Sequence, residues 1–253
     1  MKVYELYQAL SERIPSAMSL EWDHDGLAIC PDRQALVTGV LVALDATPEV
    51  ISEAKAKGCN IILTHHPFLF RPIGAVSGNT PQERAVIDCL LSGISVMGFH
   101  TRADSINGGT NTTLIEALGL TLLPTVEEGV PYRMGECKQP TSADEFAHMI
   151  KDALNLQGLR YTDGGKPIQK VLVCAGGGRD FLKLATELCA DAFVTGELGH
   201  HTLLDGAAMG MSLFEAGHYE TEVIFLPFLA RCVSEVDATI PVICTPTTSI
   251  KTL

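Results

Sequence analysis

Residues 37–66 read VTGVLVALDATPEVISEAKAKGCNIILTHH, and this stretch decides the fold. Its opening, residues 37–44, is a β-rich apolar run that reads as a buried strand. Thr47 is placed to cap a helix over residues 48–57, with Pro48 in the first helical position, where the missing N–H costs nothing. Gly58 closes that helix. Residues 60–63 are a second short apolar strand, and His65-His66 follow it directly. A strand, a helix and a strand in this order predict two parallel neighbours in one sheet.

Upstream, residues 3–14 carry Val3, Leu6, Tyr7, Leu10 and Ile14 on one helical stripe, and Pro15 ends it. Residues 19–31, with Trp22, Asp23 and Gly26-Leu27, read as a loop feeding a short strand. Downstream come a loop (67–80), a helix (81–92, ended by Gly93), a strand (94–99) and a helix (110–118, capped by Gly119). Residues 121–142 read as a connection or a small hairpin. Residues 142–154 form a helix with Thr141 or Ser142 as cap. Then follow a strand (170–175), a tight turn at Gly176-Gly177-Gly178, a helix (180–189), a strand (192–195), a helix (200–210) and a strand (211–216). A helix over 220–233, interrupted or kinked by Pro227, and a last strand at 242–244 follow.

The second half repeats the first in outline. The strand at 94–99 leads to His100, with Asp104 four residues on. The strand at 211–216 leads to His218, with Glu222 four residues on. The expectation is an α/β protein of two similar halves, residues 1–125 and 126–253, with a metal site between them.

Composition narrows the function. Apolar residues make up 46% and charged residues 19%, an ordinary globular balance. A net charge of −12 disfavours a general nucleic-acid binder. No run approaches the ~20 apolar residues of a membrane span, and residues 1–5 open an amphipathic helix rather than a signal core. The eight cysteines contain no C-x-x-C pair and read as reduced, buried thiols. The expected location is the cytoplasm.

His65, His66, His100, Asp104, His218 and Glu222 all fall just after a predicted strand, where open α/β sheets collect ligands. Imidazole with carboxylate suits Zn, Fe, Mn, Co or Ni. Adjacent His65 and His66 can each serve a different ion, and Asp104 or Glu222 can bridge two. His24, His148, His200 and His201 are weaker candidates. Arg71 is placed to meet an anionic substrate group. Gly176–Gly178 lacks the residues of a phosphate-binding loop, so close packing is its expected role. No G-x-S-x-G elbow is present, and no cysteine sits in an electropositive loop.

Trp22-Asp23 with Gly26-Leu27, Thr64-His65-His66-Pro67, His100-Thr101 with Asp104, Thr195-Gly196-Glu197, and Gly217-His218-Tyr219 with Glu222 occur in this order. Together they resemble the GTP cyclohydrolase I type 2 family, also called NIF-three-like. The resemblance implies the NIF-three-like fold and two divalent metal ions (Zn, Fe or Mn) on His65, His66, Asp104, His218 and Glu222. It also implies a hexameric ring of identical chains. Longer members carry an inserted domain that this chain is too short to hold. The family has Asn after the early Asp, whereas this chain reads Asp23-His24-Asp25-Gly26, which leaves the role of that loop open. The expected function is a dinuclear metal-dependent hydrolase, with GTP-type ring opening of a nucleotide as the activity the resemblance implies. His100 and Glu197 are the candidates for moving protons. The alternative is a ring-forming, non-enzymatic metal-binding adaptor or metallochaperone.

Overall fold

A computed structural model of the chain describes residues 1–124 and 129–251. The chain starts with α1 (Val3–Arg13), β1 (Gly26–Ile29), β2 (Val40–Ala43), α2 (Pro48–Ala56) and β3 (Ile61–Thr64). Next come α3 (Pro81–Leu91), β4 (Ser95–Gly98), α4 (Thr101–Ser105) and α5 (Thr110–Ala117). The middle holds β5 (Thr121–Leu122), β6 (Arg133–Thr141), α6 (Ala143–Ala153), β7 (Arg160–Thr162) and β8 (Ile168–Cys174). The chain ends with α7 (Leu182–Glu187), β9 (Ala192–Thr195), α8 (His200–Ala208), β10 (Ser212–Glu215), α9 (His218–Val223), α10 (Leu226–Val236) and β11 (Val242–Cys244).

The chain divides into two compact units: Met1–Ala103 with Leu226–Lys251, and Asp104–Phe225. The boundary expected at 125/126 falls on residues 125–128, outside the described residues.

In the first unit the sheet order is β1-β4-β3-β2-β11. β2, β3 and β4 run parallel in register, Val40 beside Ile61 and Ile61 beside Ser95. The strand–helix–strand expectation for residues 37–64 is therefore met. The central strands are buried on both faces, which is why they read as unbroken apolar runs rather than alternating ones. Leu41, Ala43, Ile62 and Val96 share one core with Val50, Ile51 and Ala54 of α2 and Ala85, Val86 and Cys89 of α3. Each buried valine, leucine or isoleucine among them contributes ~1.5–3 kcal/mol. Thr47 caps α2 and Thr80 caps α3, each accepting from the backbone N–H three residues on. α10 packs on α1 and β2, and β11 pairs parallel with β2.

In the second unit the order is β5-β6-β8-β9-β10-β7, with β8, β9 and β10 parallel. Alternate residues of these strands feed two cores. Val171, Val173, Val194 and Phe214 pack with Phe146 and Ile150 of α6 and with Leu114 and Ile115 of α5. Leu172, Cys174, Phe193 and Leu213 pack with Ala185 and Leu203.

The repeat goes beyond its sequence signal. Each half has three consecutive parallel strands, β2, β3 and β4 in one and β8, β9 and β10 in the other, with an antiparallel edge strand on the last of them, β1 on β4 and β7 on β10; the first unit adds β11 parallel to β2. The connection at 121–142 contains the short antiparallel pair β5–β6. The interruption expected near Pro227 is present: the chain forms two helices with a break between Val223 and Leu226, just before Pro227, which cannot donate to a helix interior.

Candidate metal site

In the first unit, β3 ends at Thr64 and delivers His65 and His66, and β4 ends at Gly98 and delivers His100. Thr64 Oγ1 donates to the His66 carbonyl (2.7 Å), and His66 N donates to the Leu44 carbonyl (3.0 Å), so the turn after β3 is held from both sides. The rings of His65 and His66 lie 5.2 Å apart, and that of His100 lies 5.4 Å and 5.7 Å from them. One ring nitrogen from each of the three sits within 4.8 Å of the others, close enough to share an ion.

Each imidazole is oriented by an oxygen on Nδ1. His65 Nδ1 donates to the Phe99 carbonyl at 3.1 Å, His66 Nδ1 to Asp45 Oδ1 at 2.8 Å and His100 Nδ1 to Asp23 Oδ2 at 3.1 Å. An acceptor on Nδ1 fixes that nitrogen as the donor, so Nε2 is the ring's ligating atom; metal-binding histidines are held this way.

The loop whose role the sequence left open supplies that support. The buried Asp23 carboxylate accepts from His100 Nδ1, Thr101 N and Thr101 Oγ1. Asp25 Oδ2 accepts from His100 N and from Nε of the buried Arg102. Burial raises the Asp23 carboxyl, but the hydrogen bonds from His100 and Thr101 and the charge of the imidazole outweigh it and hold the group at about 2.

In the second unit, His218 opens α9 and Glu222 lies one turn on; His218 Nε2 is 3.2 Å from Glu222 Oε2, and its Nδ1 is 3.3 Å from Glu197 Oε1. Four-residue spacing on a helix puts both ligand types on one face. Gly176, at φ +64°, faces this pair; a Cβ there would run into Glu222 Oε1 and lie 3.2 Å from His218 Nε2. The backbone thus leaves the space for the carboxylate and the imidazole. Asp104 is the first residue of this unit, and Asn111 Nδ2 donates to its carbonyl (3.2 Å). Arg133 is buried and its guanidinium donates to the carbonyls of Ser105, Ile106, Val130 and Tyr132, which pins the turn after Asp104. Burial, with the charges of Asp104 and Glu222, raises the Cys174 thiol well above its ordinary value.

His65, His66 and His100 are thus brought together in one unit, and His218, Glu222 and Glu197 in the other. The resemblance gave His100 no ligand role, yet its ring belongs to the imidazole group. Asp45 is a supporting residue that sequence reasoning missed, and Asp23, singled out there only as part of a motif, is a second. Asp45 had a signal: it follows the buried strand β2, at the same end of the sheet as His65. His24, His148, His200 and His201 are exposed. All eight cysteines are free. Among the described residues no helix is long and apolar enough to cross a membrane.

The chain matches the family model Duf34/NIF3 (NGG1p interacting factor 3) over residues 1–249. A Clostridium perfringens protein called GTP cyclohydrolase 1 type 2 homolog is 34% identical over 88% of this chain and 87% of its own. A Streptococcus pneumoniae protein of the same name is 33% identical over 93% and 91%. The fold matches a hypothetical protein of Staphylococcus aureus at TM-score 0.89 and 25% identity, covering 100% of this chain and 99% of that one. A family match across nearly the whole chain, with relatives above 30% identity over most of it, is decisive: this protein belongs to the Duf34/NIF3 family.

Proposed function

We propose that the protein is a metal-dependent hydrolase whose two divalent ions are held by His65, His66, Asp104, His218 and Glu222. The observation that carries this reading is the common support of the imidazoles. Each has an oxygen acceptor on Nδ1, which is the arrangement that prepares Nε2 for a cation. The carboxylate–imidazole donor set, with Gly176 leaving room for the Glu222 and His218 side chains, fits such an ion.

Bound divalent ions supply Lewis acidity, which brings water toward ionisation at neutral pH and polarises an electrophile. The chain's own groups do the rest. Asp45 and the Phe99 carbonyl fix the His66 and His65 rings. Asp23 holds the His100 ring through Nδ1, and His100 is the candidate for moving a proton at the leaving group. Glu197 is exposed, lies beside His218, and is placed to take a proton to solvent.

The relatives are named GTP cyclohydrolase 1 type 2 homolog, and ring opening of a purine nucleotide with release of formate is the reaction we carry over from them. Elemental analysis of protein purified without added metal should find about two ions per chain. Formate release from GTP should follow with Zn, Mn or Fe present, and should vanish in Asp104→Ala. Formate at the Asp104→Ala background in every metal would remove the cyclohydrolase reading. Metal retained without turnover would return the adaptor reading. A hexameric ring is part of the same proposal; light scattering that gives a monomer mass would overturn it.

A further inference from the structure

Trp22 and Phe70 break the pattern of the first unit. Both are large apolar side chains, and both stand half in solvent, at 54% and 52% exposure. They are not stray surface residues. Their rings lie 6.1 Å apart, edge to face, and each lies edge to face with the His100 ring, at 6.0 Å from Trp22 and 6.4 Å from Phe70. The backbone holds them there. Leu20 N donates to Thr101 Oγ1 at 2.9 Å, and Asp23 accepts from His100 and Thr101, so Trp22 is pinned on both sides to the segment that carries His100. Phe70 follows Phe68 and Leu69, which pack on the buried core, and Gln82 Nε2 ties the Phe68 carbonyl at 3.1 Å. Fixed, exposed aromatic rings are a stacking platform for a planar ring.

We propose that Trp22 and Phe70, together with the edge of His100, stack the planar heteroaromatic ring of the substrate and so select a nucleobase-type ligand for the imidazole group. The proposal rests on the hydrolase reading of that group. Two side chains offer too small an area for a stable protein interface, which needs about 800 Å² on each partner. Their place against His100 matches instead a small ligand whose ring lies on the aromatic pair while its reacting atoms face the histidines. A stacking contact is tolerant of ring substituents, because every base offers a π-face, so Trp22 and Phe70 select the class of ring and leave its identity to polar contacts.

Trp22 is the chain's one tryptophan, so its fluorescence reports this place alone. Guanosine added to the full-length, metal-loaded protein should quench it saturably, and ribose 5-phosphate should not. Trp22→Ala should weaken guanosine binding in equilibrium dialysis about tenfold or more. Trp22→Phe, which keeps a ring, should retain most of it, and metal content should stay as in the wild type in both variants. Equal quenching by guanosine and ribose 5-phosphate, or unchanged dialysis affinity in Trp22→Ala, would overturn the stacking role. A lower oligomeric mass for Trp22→Ala would also overturn it and give the patch to a second copy of the chain. Guanosine affinity and fluorescence test the platform, whereas metal content and formate release of the unaltered protein test the hydrolase reading, so the two fail separately.

Discussion

Asp23 stabilises this protein only as an anion. Its folded carboxyl is held at about 2 against an ordinary 3.8, because His100 and Thr101 satisfy the charge. A depressed carboxyl contributes stability that is fully present above the unfolded value and is lost as pH falls from near 3.8 toward about 2. The shift corresponds to about 2 kcal/mol at neutral pH. Denaturant unfolding of chelator-treated protein should show that loss across the acid range. Asp23→Asn should start lower at pH 7 and lose less on acidification; parallel pH profiles for the two proteins would refute the assignment. Gly176 gives a second residue-scale prediction. Alanine there meets both a left-handed backbone and the Glu222 carboxylate. Gly176→Ala should cost about 1–3 kcal/mol and lower metal content, checked by denaturation and elemental analysis. The candidate ligands were legible at this scale because each follows a strand. Asp45 and Asp23 were not, since their partners lie 21 and 77 residues away and nothing local marks the pairing.

At the scale of elements, the parallel core was readable for a simple reason: strands buried on both faces must be apolar throughout. The capping of α6 was also readable. Ser142 accepts from Glu145 N, while Glu145 accepts from Ser142 N. Ser142→Ala should cost about 1 kcal/mol, and a double variant with Glu145→Ala should cost less than the sum of the two single changes. Full additivity in urea melts would show that the box is not coupled. The repeat was seen in sequence, but its register was not. β4 ends at Gly98, two residues before His100, and β10 ends at Glu215, three residues before His218. The two His-x-x-x-carboxylate segments are therefore out of step by one residue. In strand register His66 matches Glu197, since Thr64 and Thr195 occupy corresponding positions against Ala43 and Cys174. The short edge strand β7 left too little pattern to be found, with three residues and no buried position among them.

At the scale of the whole molecule, the chain returns to its start. α10 and β11 belong to the first unit, β11 pairs with β2, and Thr245 and Thr247 both donate to Glu53 Oε2. Ending the chain after residue 236 uncovers the β2 edge, which leaves a row of unpaired backbone groups. Hydrogen exchange should then speed up in β2 and α2 while β8 and β9 keep their protection. Uniform loss across both sheets, or none in β2, would contradict this division.

Sequence alone determined the α/β class, the two-fold repeat and the positions of the candidate ligands after the strands, because burial on both faces and glycine- or proline-marked ends leave local traces. Tertiary structure alone decided which sheet takes β11, which residue of the second half corresponds to His66, and which carboxylates hold the imidazoles. Each of those depends on pairing between distant segments, and strand register is set by backbone hydrogen bonds that are blind to side-chain identity.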